Sequence, residues 1–298
     1  MATAISYFNQ AIAKDPGYAL AYSGLADAYS NLPYLVALPA NTTRREMQLP
    51  ARRWSWTRRW PVPTPSWAAM RWSTNGILLE ERLSTRKLSS STPAMPRHTR
   101  GNAWDLAWIG GREQEAFTEI NRARQLDPLS PIIKVDAGWV QIRARQYDEA
   151  ILECEKVANE DPTYANTHSC LAQAYWAKHM YAQVIGEWKV YGQVSGDRRE
   201  SEFASAIEKG FRSGGWKGAL TQGIEVKQTQ RKTGYASAYQ IALLFADLGD
   251  KDQSFRWLNT AYQERDTWLE GLKTDFQLDA LRSDPRFSEL VRKVGLPQ

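Results

Sequence analysis

One pattern of four residues recurs through this chain at intervals of 34. Ala116, Ile120, Ala123 and Pro128 stand at steps of four, three and five; Ala150, Cys154, Val157 and Pro162 repeat them. Val184, Trp188 and Tyr191 continue the series, with Gly196 in the place of the proline. Steps of four and three lie on one face of a helix. The small residues let a neighbouring helix approach closely, and the bulky one fills the groove beside it. Proline has no backbone N–H and disfavours helix at the residue before it, so it separates one unit from the next. A helical pair of this length cannot bury its apolar face alone and must stack on its neighbours. The fold class is therefore all-α, a helix-turn-helix solenoid with an irregular, interrupted N-terminal third.

The first helix of each unit should carry a bulky residue, Leu, a small residue and Tyr at positions four, seven, eight and eleven. From Ala165 these are His168, Leu171, Ala172 and Tyr175; from Pro131 only the small pair, Ala137 and Gly138, fits. Asp127-Pro128 and Asp161-Pro162 end the two full copies. The same steps appear at Ala4, Phe8, Ala11 and Pro16, followed by Tyr22, Leu25, Ala26 and Tyr29. Residues 1–33 thus read as a second helix and the next first helix, and the chain enters in the middle of a repeat.

From 34 to 102 the pattern collapses. Between Asn41 and Arg100 lie 12 of the 38 Lys+Arg but 3 of the 33 Asp+Glu, so this stretch supplies the whole basic balance of a chain with net charge +5. Five Trp (54, 56, 60, 67, 72) and six Pro (50, 61, 63, 65, 93, 96) crowd into it. Two readings compete. A basic, aromatic segment over 44–100 would bind nucleic acid through phosphates and base stacking. The favoured alternative is a frameshifted or disordered segment. Trp has one codon, and with serine as AGC, Trp54-Ser55-Trp56-Thr57 shifted by one base reads Leu/Met/Val-Glu-Leu-Asp. That resembles Gln125-Leu126-Asp127 at the end of a repeat. No two-residue alternation and no helical stripe is present here.

Repeats resume near Ala103 and form a core array over 103–196. Divergent helical repeats follow over 197–273. Glu202 to Phe211 and Trp216 to Arg231 read as helices broken at Ser213-Gly214-Gly215, and Tyr235 to Tyr262 is a further unit turning at Gly249. A capping helix closes 274–298, with Ser283-Asp284-Pro285 at its start and Gly295 at its end.

A 34-residue period with this small-bulky-small-proline signature resembles the tetratricopeptide repeat. The stretch Ala280 to Phe287 with Val294 to Pro297 resembles the closing segment of bacterial tetratricopeptide proteins, where the array is the C-terminal half of a regulator fused to a winged-helix, kinase or cyclase domain. The resemblance covers 1–33 and about 103–298. It implies a non-catalytic scaffold or sensory half of a bacterial signalling or transcription regulator, binding a protein or peptide on its concave face. In that family positions two, five, nine and twelve of each first helix face the groove. Carried over, they give Asp105 and Trp108 from one unit, Trp139 with Arg143 just after twelve in the next, and Asn166, Gln173 and Trp176 in the third. The Lys/Asn clamp that related arrays use on acidic C-terminal tails is missing from these positions.

Other functions find little support. No Gly-rich phosphate loop and no paired-Cys or His-Glu-x-x-His metal pattern occurs, so neither a catalytic centre nor a cofactor is expected. Cys154 and Cys170 occupy helical core positions and read as buried thiols rather than a disulfide. No apolar run approaches the roughly 20 residues of a membrane span, and no leader pattern is present. A cytoplasmic protein without membrane or nucleic-acid partners is expected.

Overall fold

Each second helix buries a single stripe, whereas each first helix is covered on nearly every side, and this difference shapes the molecule. The computed structural model describes residues 96–296, with Tyr7, Gln10 and the pairs Trp72–Ser73 and Gly76–Ile77. The partial repeat expected over 1–33 and nearly all of the anomalous stretch lie outside the described residues. The chain divides into two compact units, Met1–Pro93 and Ala94–Gln298. In the first, Tyr7 and Gln10 are helical, and β1 (Trp72–Ser73) pairs antiparallel with β2 (Gly76–Ile77).

The second unit is all-α. Its helices are α1 (Pro96–Ile109), α2 (Glu113–Leu126), α3 (Pro131–Arg143), α4 (Tyr147–Glu160), α5 (Ala165–Ala177) and α6 (Tyr181–Val194). They continue as α7 (Arg198–Thr233), α8 (Ala238–Leu248), α9 (Lys251–Glu264) and α10 (Pro285–Val294). Helices pack in consecutive pairs, α1 on α2, α3 on α4, α5 on α6 and α8 on α9, and the pairs stack through α2 on α3 and α4 on α5. First helices also meet first helices, α1 with α3 and α3 with α5. This is the solenoid that the period predicts. The first described helix of the array, α1, starts at Pro96, with proline in the first turn, where its missing N–H has no intrahelical partner to lose.

The repeating residues take the expected places. Ala116, Ile120 and Ala123 are the buried stripe of α2, and Ala150, Cys154 and Val157 that of α4. Asp127 and Asp161 end these helices, and the Asp161 carboxylate turns the chain by accepting from the Thr163 N–H at 2.9 Å. Helix α7 is broken at Gly214 and Gly215, the latter at φ +60, as the Gly pair predicts. Gly249 caps α8 at φ +88, and Asp284 caps α10 by accepting from the Arg286 N–H. The His168 ring spans α5 and α6, with Nδ1 2.7 Å from Glu187 and Nε2 2.8 Å from the Pro162 carbonyl.

The cysteines correct the sequence reading. Cys154 of α4 and Cys170 of α5 form a disulfide, fully buried and 16 residues apart. Each is legible as a core position, but not that the two face each other across the repeat junction. Gly138 of α3 covers them: a Cβ there would collide with both sulfurs. The small residue at position eight thus makes room for the bridge.

Candidate functional site

The groove positions divide into a filled row and an open row. Position twelve carries Trp108, Ile142 and Trp176 in successive first helices, and all three are buried. Position nine carries Asp105, Trp139 and Gln173, each partly exposed, and Asn166 at position two is exposed. The tertiary structure thus separates residues that the sequence groups as one face. Trp108, Arg143 and Trp176 are packed inside, whereas Asp105, Trp139, Asn166 and Gln173 retain access to solvent.

A segment from the far end of the unit fills the groove over α1 and α3. After α9 the chain forms two 3-10 turns, Thr267–Gly271 and Phe276–Leu281. Leu269 and Leu272, then Leu278 and Leu281, repeat at steps of three, matching three residues per turn, and all four are fully buried. The segment is tied at its start and between its two turns. Asp266 accepts from the Ser237 hydroxyl at 2.6 Å and the Tyr239 N–H at 3.2 Å, while the Thr274 hydroxyl donates to the Trp108 carbonyl at 2.9 Å. Burial pushes the Asp266 carboxyl above its ordinary range, opposed by the hydrogen bonds it accepts from Ser237, Tyr239 and Trp268.

Arg143 is the centre of this contact. Its guanidinium lies 3.6 Å from the Trp108 ring centroid and 3.2 Å from Asp275, which also accepts from the Tyr239 hydroxyl at 3.3 Å. Trp108 stacks on Trp104 at 4.2 Å and leans on Trp139 and Trp268 at about 6 Å. Gly271 permits the approach, since a Cβ there would lie 2.9 Å from Trp108 Nε1. One repeat edge further out, Arg145 grips Asp279 with two hydrogen bonds of 3.0 and 2.9 Å. A cavity of about 250 Å³ opens beside the segment, lined by Gly110, Arg143, Arg145 and Thr274 among others. Its two arginines are already paired with Asp275 and Asp279.

Trp176 is covered differently. Trp216, from the second half of α7, meets it edge-on at 4.9 Å and stacks on Tyr181 at 4.4 Å. Both indoles donate to one oxygen of Asp247, Trp176 at 3.0 Å and Trp216 at 2.5 Å.

At the opposite end of the first helices, Arg100 of α1 donates to the buried Asp136 of α3 at 2.6 Å. The Tyr164 hydroxyl has its pKa raised chiefly by burial and feels both charges. Burial raises Asp136 from 3.8 to about 6, against the pull of Arg100. The folded state therefore keeps the Asp136 proton to higher pH than the unfolded chain does. Stability should fall as pH rises from about 4 to 6 and level off above, by about 2–3 kcal/mol from this group. Asp136→Asn should remove that slope, which is read as the wild-type-minus-variant difference in denaturation free energy at pH 4.5 and 7.5. Equal slopes in both proteins would contradict the assignment.

Sequence reasoning missed the groove-filling segment. Its signals are the two Leu pairs at three-residue spacing and the Asp266 and Asp275 carboxylates, none of which fits a helical period. Among the described residues no group of three or more His, Cys, Asp or Glu could hold a metal, and no helix is long and apolar enough to cross a membrane.

Comparison with known proteins finds one region of similarity. Over 112 residues the chain is 33% identical to an RxLR effector protein, SFI4, of Phytophthora infestans (strain T30-4), covering 35% of this chain and 33% of that protein. The chain thus spans about a third of that relative's length. No family model matches, and no solved structure matches.

Proposed function

We propose that this chain is a tetratricopeptide-type array acting as a non-catalytic protein–protein interaction scaffold, or as the sensory half of a bacterial regulator. Its partner, a protein or peptide, would lie along the open row of the first helices. The supporting observation is that position twelve is filled throughout while Asp105, Trp139 and Gln173 at position nine, with Asn166, stay accessible. A partly exposed Trp whose row also carries amide and carboxylate groups suits an extended or helical peptide. The site is therefore narrower than the seven residues named from sequence, since Trp108, Arg143 and Trp176 support the fold beneath it.

Peptides selected from a displayed library against the full chain test this reading. Trp139→Ala should weaken them roughly 30-fold, about 2 kcal/mol for an aromatic anchor. Asn166→Ala with Gln173→Ala should weaken them while leaving the melting temperature nearly unchanged. Loss of stability without a specific binding defect would make these residues structural. The nucleic-acid reading of 44–100 predicts an affinity that falls steeply with salt and disappears when that segment is deleted.

A second reading concerns the compartment. The buried Cys154–Cys170 disulfide favours an oxidising setting over the cytoplasmic one expected from sequence. Trapping thiols by alkylation in intact cells separates the two, because a cytoplasmic protein should yield both cysteines reduced.

A further inference from the structure

Several buried or partly buried carboxylates of this array face a cation. Asp136 pairs with Arg100, Glu153 with Arg124, Glu200 with Lys227 and Asp275 with Arg143. Asp247 is held in another way. It is partly exposed, its Oδ2 accepts two indole N–H groups, and it forms no ion pair among the described residues. Its surroundings are aromatic: Trp176 and Trp216 meet at 85°, and Tyr181 lies flat against Trp216. Asp247 acts on the Tyr181 hydroxyl, adding to the rise that burial causes.

Two neutral indole donors hold the carboxylate in place without cancelling its charge. The other oxygen keeps its acceptor capacity, and a carboxylate beside aromatic rings attracts a cation through charge and ring quadrupole together. A guanidinium fits best, being planar, weakly hydrated and able to stack while it donates. The position also suits the array. Trp176 follows Gln173 by three residues on α5, so the last position of the open row lies within one turn of the indole that donates to Asp247.

We propose that Asp247, framed by Trp176, Trp216 and Tyr181, is the anchor for an arginine side chain of the bound peptide. This rests on the interaction reading above and adds the chemistry of one partner residue.

The test uses the full chain and four acetylated tripeptide amides, Gly-Xaa-Gly with Xaa as Arg, Lys, Gln or Glu, titrated to millimolar concentration. The readout is the indole N–H resonances of Trp176 and Trp216, assigned with Trp176→Phe and Trp216→Phe. The Arg peptide should shift both resonances saturably and more strongly than the Lys peptide, while the Gln and Glu peptides leave them in place. Asp247→Asn keeps an oxygen that can accept from the indoles, and should weaken the Arg response at least ten-fold with the fold intact. Equal responses to Arg and Gln, or an Arg response undiminished in Asp247→Asn, would overturn the proposal. A library-selected peptide that loses affinity on Trp139→Ala but not on Asp247→Asn would leave the scaffold reading standing and this anchor refuted. Arg-specific shifts without any partner on the open row would do the reverse.

Discussion

Replacing Arg143 with alanine is expected to cost about 3–5 kcal/mol of folding stability, the scale for removing one partner of a buried ion pair. Both side chains of the Arg143–Asp275 pair are nine-tenths or more buried. Truncating Arg143 leaves Asp275 without a cation, uncovers the Trp108 face and loosens the segment that fills the groove. Asp275→Ala should cost a similar amount, because Tyr239 and Arg143 then lose their shared acceptor. Arg143→Lys should not restore the wild type, since an ammonium neither stacks on Trp108 nor presents a planar fork. Chemical denaturation measures the loss. Hydrogen exchange should show it concentrated in 267–281, and a cost under about 1 kcal/mol would reduce the pair to the rank of a surface ion pair.

Loss of the disulfide should be the second large effect. A bridge closing a loop of about 15 residues stabilises by about 3 kcal/mol in the chain-entropy account, and Cys154 and Cys170 are 16 residues apart. The double replacement Cys154→Ala with Cys170→Ala should lower stability by at least that amount, because buried sulfur volume beside Gly138 is lost as well. Reduction of the wild-type chain under denaturing conditions, followed by refolding with reductant present, should give a smaller loss, since the thiols still fill the space. Unfolding curves that coincide with and without reductant would show that the bridge contributes nothing. Mass spectrometry of the unreduced chain establishes independently whether the two cysteines are joined.

The all-α class and the phase of the helices are legible in the amino-acid sequence alone. The steps of four and three place Ala116, Ile120, Ala123, Ala150, Cys154 and Val157 on buried stripes because a second helix packs along one face only, and one face leaves a clean period. The stops are equally readable: Asp127, Asp161, Gly249 and the Gly214-Gly215 break act through local backbone geometry, which neighbours in sequence control. First helices carry no such clean period. Helix α3 buries eight residues and α5 seven, from Ile133 to Arg143 and from Thr167 to Trp176, because partners press on them from several sides. A residue on such a helix can face a groove by register and still be covered by a distant part of the chain. That is what separates Trp108, Arg143 and Trp176 from Trp139, Asn166 and Gln173. The contact between Thr274 and Trp108 spans 166 residues and that between Trp216 and Asp247 spans 31. Neither is encoded in a 34-residue period. Periodicity reports which side of a helix is apolar; only the folded chain decides what lies against it, because covering a groove depends on where a remote segment ends its path.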